Sequence, residues 1–243
     1  MGNSGSTQGK ELWDAAKNGD EKYVQDLLTI GAEVDFLAVS NTGVSNITPL
    51  MIAAHNNHNN IVKILLKKGA EINMVDERNR TALFFAASRG NKSVVKTLLL
   101  GGADVNIASQ TETNATPLIA SYESPLRKEA EITMQNKTKS MDALYIASRR
   151  LKDFKKTTRL LIDYSEDVNY KNNNGYTALH FAVIIGDKEN VKILLSKGAD
   201  VNIEANDGNT PLTLAQSKGN DELIRILERR QMPQSGIPMA GRP

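Results

Sequence analysis

Short apolar clusters at helical spacing alternate with glycine-containing breaks along most of the chain. Leu179, Ala182 and Val183 follow the i, i+3, i+4 spacing that places side chains on one face of a helix. A second cluster with the same spacing begins at Val191. Gly186 lies between the two clusters, and glycine permits the backbone angles of a tight turn. The pattern therefore predicts two short helices packed back to back.

The same unit recurs along the chain with a period of 33 residues. Five segments begin with threonine, then proline or alanine, then leucine: TPLMIAA from Thr48, TALFFAA from Thr81, TPLIAS from Thr116, TALHFAV from Thr177 and TPLTLAQ from Thr210. The intervals from Thr48 to Thr81 and from Thr177 to Thr210 are both 33 residues. Helices this short bury too little apolar surface to be stable alone, so we expect the units to stack on one another.

The period and the TPLHxA-like helix starts resemble the ankyrin repeat family over residues 11–230. The resemblance implies an all-α fold, in which helix–turn–helix units are joined by β-hairpin fingers and stacked into a single curved solenoid. We expect about seven repeats, including two polar caps. The first cap, residues 11–35, lacks the threonine start, and the last ends in the charged segment 221–230.

Residues 116–154 depart from the regular spacing. The interval from Thr116 to Asn169 is 53 residues, too long for one repeat and too short for two. We predict a degenerate extra repeat whose second helix is shortened near residues 125–136. The alternative is one repeat that carries a 28-residue insertion.

The two ends of the chain have different compositions from the repeats. Residues 1–10 are rich in glycine and serine and predict a flexible leader. They also match the M-G-x-x-x-[ST] pattern for N-myristoylation, with Gly2 as the acceptor, although no polybasic run follows. Residues 231–243 contain three prolines and two glycines and predict an extended tail.

Composition and motifs argue against catalysis. The chain has no cysteine, which excludes disulfides, thiolate metal sites and a cysteine nucleophile. It has no nucleotide-binding or hydrolase motif. The resemblance makes His58 and His180 framework residues, and no second ligand stands beside His55 at metal-site spacing. We therefore expect no enzyme activity, no cofactor and no metal.

Charge and hydropathy favour a cytoplasmic protein. No apolar run approaches the ~18 residues of a membrane span, and the N-terminus lacks the apolar core of a secretory signal. A net charge of +2 is too small to indicate nucleic acid. Membrane association is expected only if Gly2 is acylated.

Candidate binding residues follow from the resemblance, because ankyrin repeats hold partners at finger tips and at the exposed ends of first helices. The candidates are Arg78, Arg80, Arg89, Arg149, Arg150, Tyr176, Ile184 and Ile185. Ile184 and Ile185 stand at positions that are normally polar, and an apolar pair beside an aromatic is typical of an interface hot spot. The alternative is that one of them packs under the preceding repeat. The arginines favour an acidic or phosphorylated protein, and functionless solvated arginines are the alternative.

These features predict a non-catalytic protein-binding scaffold. The runner-up is a membrane adaptor tethered through Gly2. A nucleic-acid binder ranks last, because the arginines lack regularly interleaved aromatics. The first finger, Phe36 to Ile47, is a further candidate surface: the interval from Asp35 to Thr48 is 13 residues, against 8 in the regular fingers. Long loops on a rigid scaffold often bind, but they also tolerate insertion without any function.

Overall fold

The computed structural model describes residues 4–39, 43, 45–122 and 154–231, with side chains from Thr7 onward. Within these ranges the chain forms short helices that follow one another in pairs. They are α1 (Ser4–Asn18), α2 (Glu21–Thr29), α3 (Pro49–His55), α4 (Asn59–Lys67), α5 (Ala82–Arg89), α6 (Lys92–Leu100), α7 (117–122), α8 (154–164), α9 (Ala178–Ile185), α10 (Lys188–Ser196), α11 (Pro211–Ser217) and α12 (Asp221–Gln231). The expected all-α fold is confirmed.

The recurring threonines begin the first helix of a pair. The hydroxyl of Thr48 accepts a hydrogen bond from the backbone N–H of Met51 at 3.2 Å. The hydroxyl of Thr81 accepts one from the N–H of Phe84 at the same distance. Each bond satisfies an N–H group that has no partner inside the helix, so threonine marks the start of the unit.

A glycine ends the first helix in the pairs α5–α6 and α9–α10. Gly90 has φ of 71° and Gly186 has φ of 73°, both in the left-handed region. Residues with a Cβ rarely adopt these angles, so glycine lets the chain reverse within two residues. The predicted tight turn at Gly186 is confirmed.

The chain divides into two compact units, residues 1–167 and 168–243. In the first unit α3 packs against both α1 and α5, and α4 packs against both α2 and α6. In the second unit α9 packs against α11, and α10 against α12. Leucines fill the layer between the helices, and Leu50, Leu83 and Leu179 are at most 1% exposed. Each unit is thus a stack of helix pairs that share an apolar core.

Helices α7 and α8 are in contact although residues 123–153 separate them. The hydroxyl of Ser121 in α7 lies 2.9 Å from that of Thr158 in α8. Phe154 of α8 lies over Gly90, where an added Cβ would come within 3.2 Å of the ring. His58 lies over Gly19 in the same way, and His58 begins the second helix of the repeat after α1–α2. By this parallel α8 takes the place of the second helix in the repeat that α7 begins.

This arrangement favours one repeat that carries an insertion over the degenerate extra repeat that we predicted. Pairing α7 with α8 arranges the helices of the described ranges in six pairs, and the expected count of about seven repeats stays a prediction. Residues 125–136, where we predicted a shortened helix, lie outside the described ranges.

Residues 4–10 differ from the predicted flexible leader, because they form the start of α1. Gly9 is buried under the ring of Phe36, and an added Cβ would lie 2.5 Å from Cδ2 of that ring. Phe36 belongs to the first finger, so a contact distant in sequence orders this segment. Gly2 and residues 232–243 lie outside the described ranges.

Candidate functional site

In the first unit, aromatic and cationic side chains gather around Phe85 of α5. The guanidinium carbon of Arg80 lies 4.6 Å from the centroid of the Phe85 ring. The ring of His55 meets the same ring edge-on at 5.8 Å, and that of Phe84 does so at 6.3 Å. We call His55, Arg80, Phe84, Phe85 and Arg89 the Phe85 cluster. Phe85 is only 9% exposed, so it forms the buried base on which Arg80, His55 and Phe84 pack.

Asp76 holds Arg80 in place. Its Oδ2 accepts hydrogen bonds from Nε and Nη2 of Arg80 at 2.8 and 2.6 Å. Its Oδ1 accepts the backbone N–H groups of Arg78 and Arg80 at 3.0 and 2.8 Å. The carboxylate is fully buried and the Arg80 side chain is 16% exposed. Arg80, which we predicted to bind a partner, thus has most of its guanidinium engaged in shaping the finger.

Arg78 and Arg89 are the more accessible cations of this unit. Arg89 is exposed, and its Nη2 lies 2.6 Å from Nε2 of His55. Among the described residues, no carboxylate forms an ion pair with Arg89. The Arg78 side chain is 52% exposed, and its Nε lies 4.0 Å from Glu77. Two arginines are therefore placed where an external carboxylate or phosphate could reach them.

In the second unit, Tyr176 lies against the first turns of α9. Its ring centroid is 5.2 Å from that of His180 and 5.6 Å from that of Phe181. We call Tyr176, His180, Phe181, Ile184 and Ile185 the Tyr176 cluster. The two isoleucines are half-buried and end the helix before its glycine turn. Part of each isoleucine thus remains accessible as apolar surface.

The hydroxyl of Tyr176 donates a hydrogen bond to Oδ2 of Asp207 in the following finger, at 2.5 Å. Burial and this bond raise the pKa of Tyr176 above its usual value. The same bond lowers the pKa of Asp207. The pair therefore holds a protonated phenol against an ionised carboxylate at neutral pH and links two fingers.

His180 is fully buried beneath Tyr176. Its Nδ1 accepts the backbone N–H of Thr177 at 3.1 Å, so Nε2 carries the proton and faces the carbonyl oxygen of Asn209 at 3.3 Å. Burial lowers the pKa of His180. His58 similarly places Nε2 3.1 Å from the carbonyl oxygen of Lys17. Both side chains join neighbouring repeats, in agreement with their expected framework positions.

The predicted binding residues fall into separate groups. Arg78, Arg80 and Arg89 lie in the first unit, and Tyr176, Ile184 and Ile185 lie in the second. Arg149 and Arg150 lie outside the described residues, so their part in binding a partner stays a prediction.

Sequence reasoning missed the part that Phe84 and Phe85 take in the Phe85 cluster. A signal was present, because TALFFAA and TALHFAV place Phe85 and Phe181 at the same position. In both repeats the residue just before the threonine lies over that phenylalanine.

The described ranges contain no group of three histidine, aspartate or glutamate side chains that could hold a metal ion. In the same ranges, every helix is too short or too polar to cross a bilayer.

Threonine-capped helix pairs joined by fingers define a protein of stacked helical repeats. Comparison with known families specifies which one: the model for ankyrin repeats (3 copies) matches residues 12–109, 118–205 and 144–231. The chain belongs to the ankyrin repeat family. No protein with a curated description matches it, whereas 606 chains of solved structures do.

One similar chain comes from the structure of the Bd0816 predatory endopeptidase from Bdellovibrio bacteriovorus in complex with the immunity protein Bd3460. It is 26% identical to this chain, with a TM-score of 0.63. The match covers 91% of this chain and 98% of that one. A chain of similar length and fold therefore occurs in a complex between proteins.

Proposed function

We propose that this protein is a non-catalytic scaffold that binds a partner protein through the Phe85 cluster and the Tyr176 cluster. Membership of the ankyrin repeat family supports protein binding as the general role. The two clusters occupy equivalent positions of their repeats, before and along the first helix. Rigid helix pairs present these side chains with little conformational freedom to lose, which favours affinity.

The observation that carries the proposal is the exposed Arg89 beside the rings of the Phe85 cluster. Arg89 contacts the His55 ring, and no carboxylate of the described residues forms an ion pair with it. An arginine held next to aromatic surface is a common anchor at protein interfaces. It supports a partner that brings an acidic or phosphorylated side chain to Arg89 and Arg78.

The Tyr176 cluster supports a second contact of different character. Ile184 and Ile185 offer apolar surface one helical turn after Phe181 on α9, whereas Tyr176 already uses its hydroxyl on Asp207. A partner would therefore bury apolar side chains here, and this contact would govern how long the complex lasts.

The test begins with affinity purification of the full chain and identification of its partner by mass spectrometry. The double variant Arg78→Glu, Arg89→Glu should then slow association and flatten its dependence on salt. The double variant Ile184→Asp, Ile185→Asp should mainly speed dissociation. Arg229→Glu, at an exposed arginine of α12, is the matched control and should bind like the wild type.

The helical circular dichroism spectrum and melting midpoint of each variant must match the wild type for this comparison to hold. If both double variants then bind with unchanged rates, neither cluster is the binding site.

A second candidate for the partner is a peptidase, which the similarity to the Bdellovibrio complex favours. The likeness covers nearly the whole of both chains, but an identity of 26% describes the shared repeat fold better than a shared partner. If purification recovers a peptidase, its cleavage of a fluorogenic substrate should fall as this chain is added. Unchanged cleavage with a saturated complex would exclude inhibition.

A further inference from the structure

The first finger presents an edge whose backbone groups have no hydrogen-bond partner among the described residues. Ala38 and Ile47 form an antiparallel bridge, in which each backbone N–H donates to the carbonyl oxygen of the other at 3.0 and 2.9 Å. Backbone groups alternate in direction along an extended strand. The N–H and C=O groups of Leu37 and Val39 therefore point away from Ile47, and no hydrogen bond to them is found among the described residues.

The other side of this finger is already occupied by its neighbour. The carbonyl oxygen of Ser45 accepts the N–H of Glu77 in the second finger at 3.4 Å. The row continues where the carbonyl oxygen of Arg78 accepts the N–H of Gln110 in the third finger at 2.7 Å. Leu37 to Val39 is thus the outer edge of a row of linked fingers in the first unit.

The side chains on this edge are apolar and accessible. Leu37 is 47% exposed and Val39 is 64% exposed, and their alternation places both on one face. Phe36 lies on the opposite face and packs on Gly9 of α1, so the edge is held against a helix. Rigid backing of this kind keeps the backbone extended before anything binds.

The edge also lacks the charges that normally protect such strands. No charged residue occurs from Phe36 to Ile47, whereas the second finger carries four within residues 76–80, namely Asp76, Glu77, Arg78 and Arg80. Edge strands in natural proteins are usually blocked by charges, proline or a covering element. The edge is apolar and uncharged, and within the described ranges its outward donors and acceptors have no partner, which makes it a template for another strand.

We propose that the edge Leu37–Val39 binds an extended segment of a partner protein, which pairs with it as an added β-strand. The segment donates to and accepts from the backbone of Leu37 and Val39, and its alternate apolar or β-branched side chains pack on these two residues. This inference rests on the proposed protein-binding function and gives it a further contact. A second copy of the chain is disfavoured, because three residues bury far less than the ~1,200 Å² of a stable interface.

The experiment pans random peptides displayed on phage against the full chain. Selected peptides should show alternating apolar and β-branched residues. Val39→Pro removes an outward N–H and leaves the bonds between Ala38 and Ile47 in place, so it should weaken binding about tenfold or more. Leu37→Lys with Val39→Lys should do the same through charge and lost apolar contact. Leu100→Lys, which changes a leucine 69% exposed at the end of α6, should leave binding intact.

Amide hydrogen exchange gives a direct readout of the pairing. Bound peptide should slow exchange at Leu37 and Val39 in the wild type, and the lysine variant covers the case in which the proline variant fails to fold. The proposal is overturned if no extended peptide is selected, if Val39→Pro binds as well as the wild type, or if a concentration-dependent dimer that Val39→Pro abolishes accounts for the protection.

Failure here is distinguishable from failure of the two clusters. The variants Arg78→Glu with Arg89→Glu, and Ile184→Asp with Ile185→Asp, should keep peptide binding at the edge. If they lose the partner while Val39→Pro retains it fully, the clusters bind and the edge does not. The reverse result would leave the edge as the binding site.

Discussion

The α5–α6 repeat and the α9–α10 repeat use the same positions for different chemistry. Arg80 and Tyr176 both precede the threonine that begins the first helix, and both lie over the phenylalanine five residues further on, at 4.6 and 5.6 Å. The same position of the repeat thus carries a cation in one case and a phenol in the other. The frame fixes where a side chain stands, and the residue type decides which contacts it can make.

The support beneath each side chain differs in the same way. The backbone N–H of Asp76 donates to the carbonyl oxygen of Arg80, and that of Asn172 donates to the carbonyl oxygen of Tyr176, at 3.1 and 3.0 Å. One side-chain oxygen of each accepts two backbone N–H groups of the turn. Only Asp76 is charged, and it is paired with Arg80. The finger that contains Asp76 therefore depends on a buried ion pair, and the finger that contains Asn172 depends on hydrogen bonds to a neutral side chain.

The largest expected effect comes from breaking the buried ion pair. Asp76→Ala removes an acceptor of four hydrogen bonds and leaves Arg80 without its partner, so we expect a loss of about 3 kcal/mol of unfolding free energy. Asn172→Ala removes a neutral side chain whose oxygen accepts two backbone N–H groups, and it should cost about 1–2 kcal/mol. Urea denaturation of each variant measures both values. Equal losses would mean that charge adds nothing to the Asp76 finger.

The turns of the two repeats provide the next comparison. Gly90 and Gly186 share nearly the same φ, but an added Cβ would meet the Phe154 ring at 3.2 Å in one case and only Asn220 Nδ2 at 3.8 Å in the other. Gly186→Ala should therefore cost about 1 kcal/mol from backbone strain alone. Gly90→Ala should cost about 2 kcal/mol, because the aromatic ring must also shift.

Thermal melting of both alanine variants measures this difference. Phe154→Ala provides the control, since Gly90→Ala on that background should cost no more than Gly186→Ala. If the two glycine variants lose the same stability in the wild-type background, Phe154 does not press on the α5–α6 turn. The assignment of α8 to the repeat begun by α7 would then lose its main support.

The fold was predictable wherever the signal is local. Thr48 and Thr81 begin helices because a hydroxyl three residues before an N–H satisfies that group, and Gly186 turns because it lacks a Cβ. The packing of Phe36 on Gly9 and of Phe154 on Gly90 has no such signature. These contacts join residues far apart in sequence, and the sequence alone therefore suggested a flexible leader and an extra repeat.

The same distinction between local signals and contacts distant in sequence applies to the candidate site. Arg80, Arg89 and Tyr176 were found because their positions within the repeat are fixed. The sequence did not reveal that Arg80 is engaged by a buried carboxylate, because Asp76 reads as one more surface charge of its finger. Exposure, and with it availability to a partner, depends on the packed structure.

His180 should make the stability of the second unit sensitive to pH, at a position where the first unit carries Phe84. Burial lowers the pKa of His180 in the folded state below that of the unfolded chain. The unfolded state therefore binds more protons, and stability should be full above about pH 6.5 and fall as pH drops below it. His180→Gln should flatten this dependence. Urea denaturation between about pH 5 and pH 8 measures the slope, and an equal slope in both proteins would show that His180 is not its source.

The smallest effect is expected from the hydroxyl of Tyr176. Tyr176→Phe removes the bond to Asp207 and leaves the ring over Phe181, so the melting temperature should stay within about 2 °C of the wild type. Tyr176→Ala also removes the ring and should lower it further. The phenol lowers the pKa of Asp207. This pKa shift stabilises the folded state at pH values above the usual aspartate pKa, and the stabilisation is lost as pH falls through the lowered pKa.

In Tyr176→Phe the Asp207 pKa should therefore rise toward its usual value, which carboxyl chemical shifts in an NMR titration report. An unchanged Asp207 titration would mean that the phenol does not hold this carboxylate in solution. A loss of stability as large as that of Asp76→Ala would instead show that the hydroxyl of Tyr176 stabilises its finger as strongly as the ion pair of Asp76 and Arg80 stabilises the other finger.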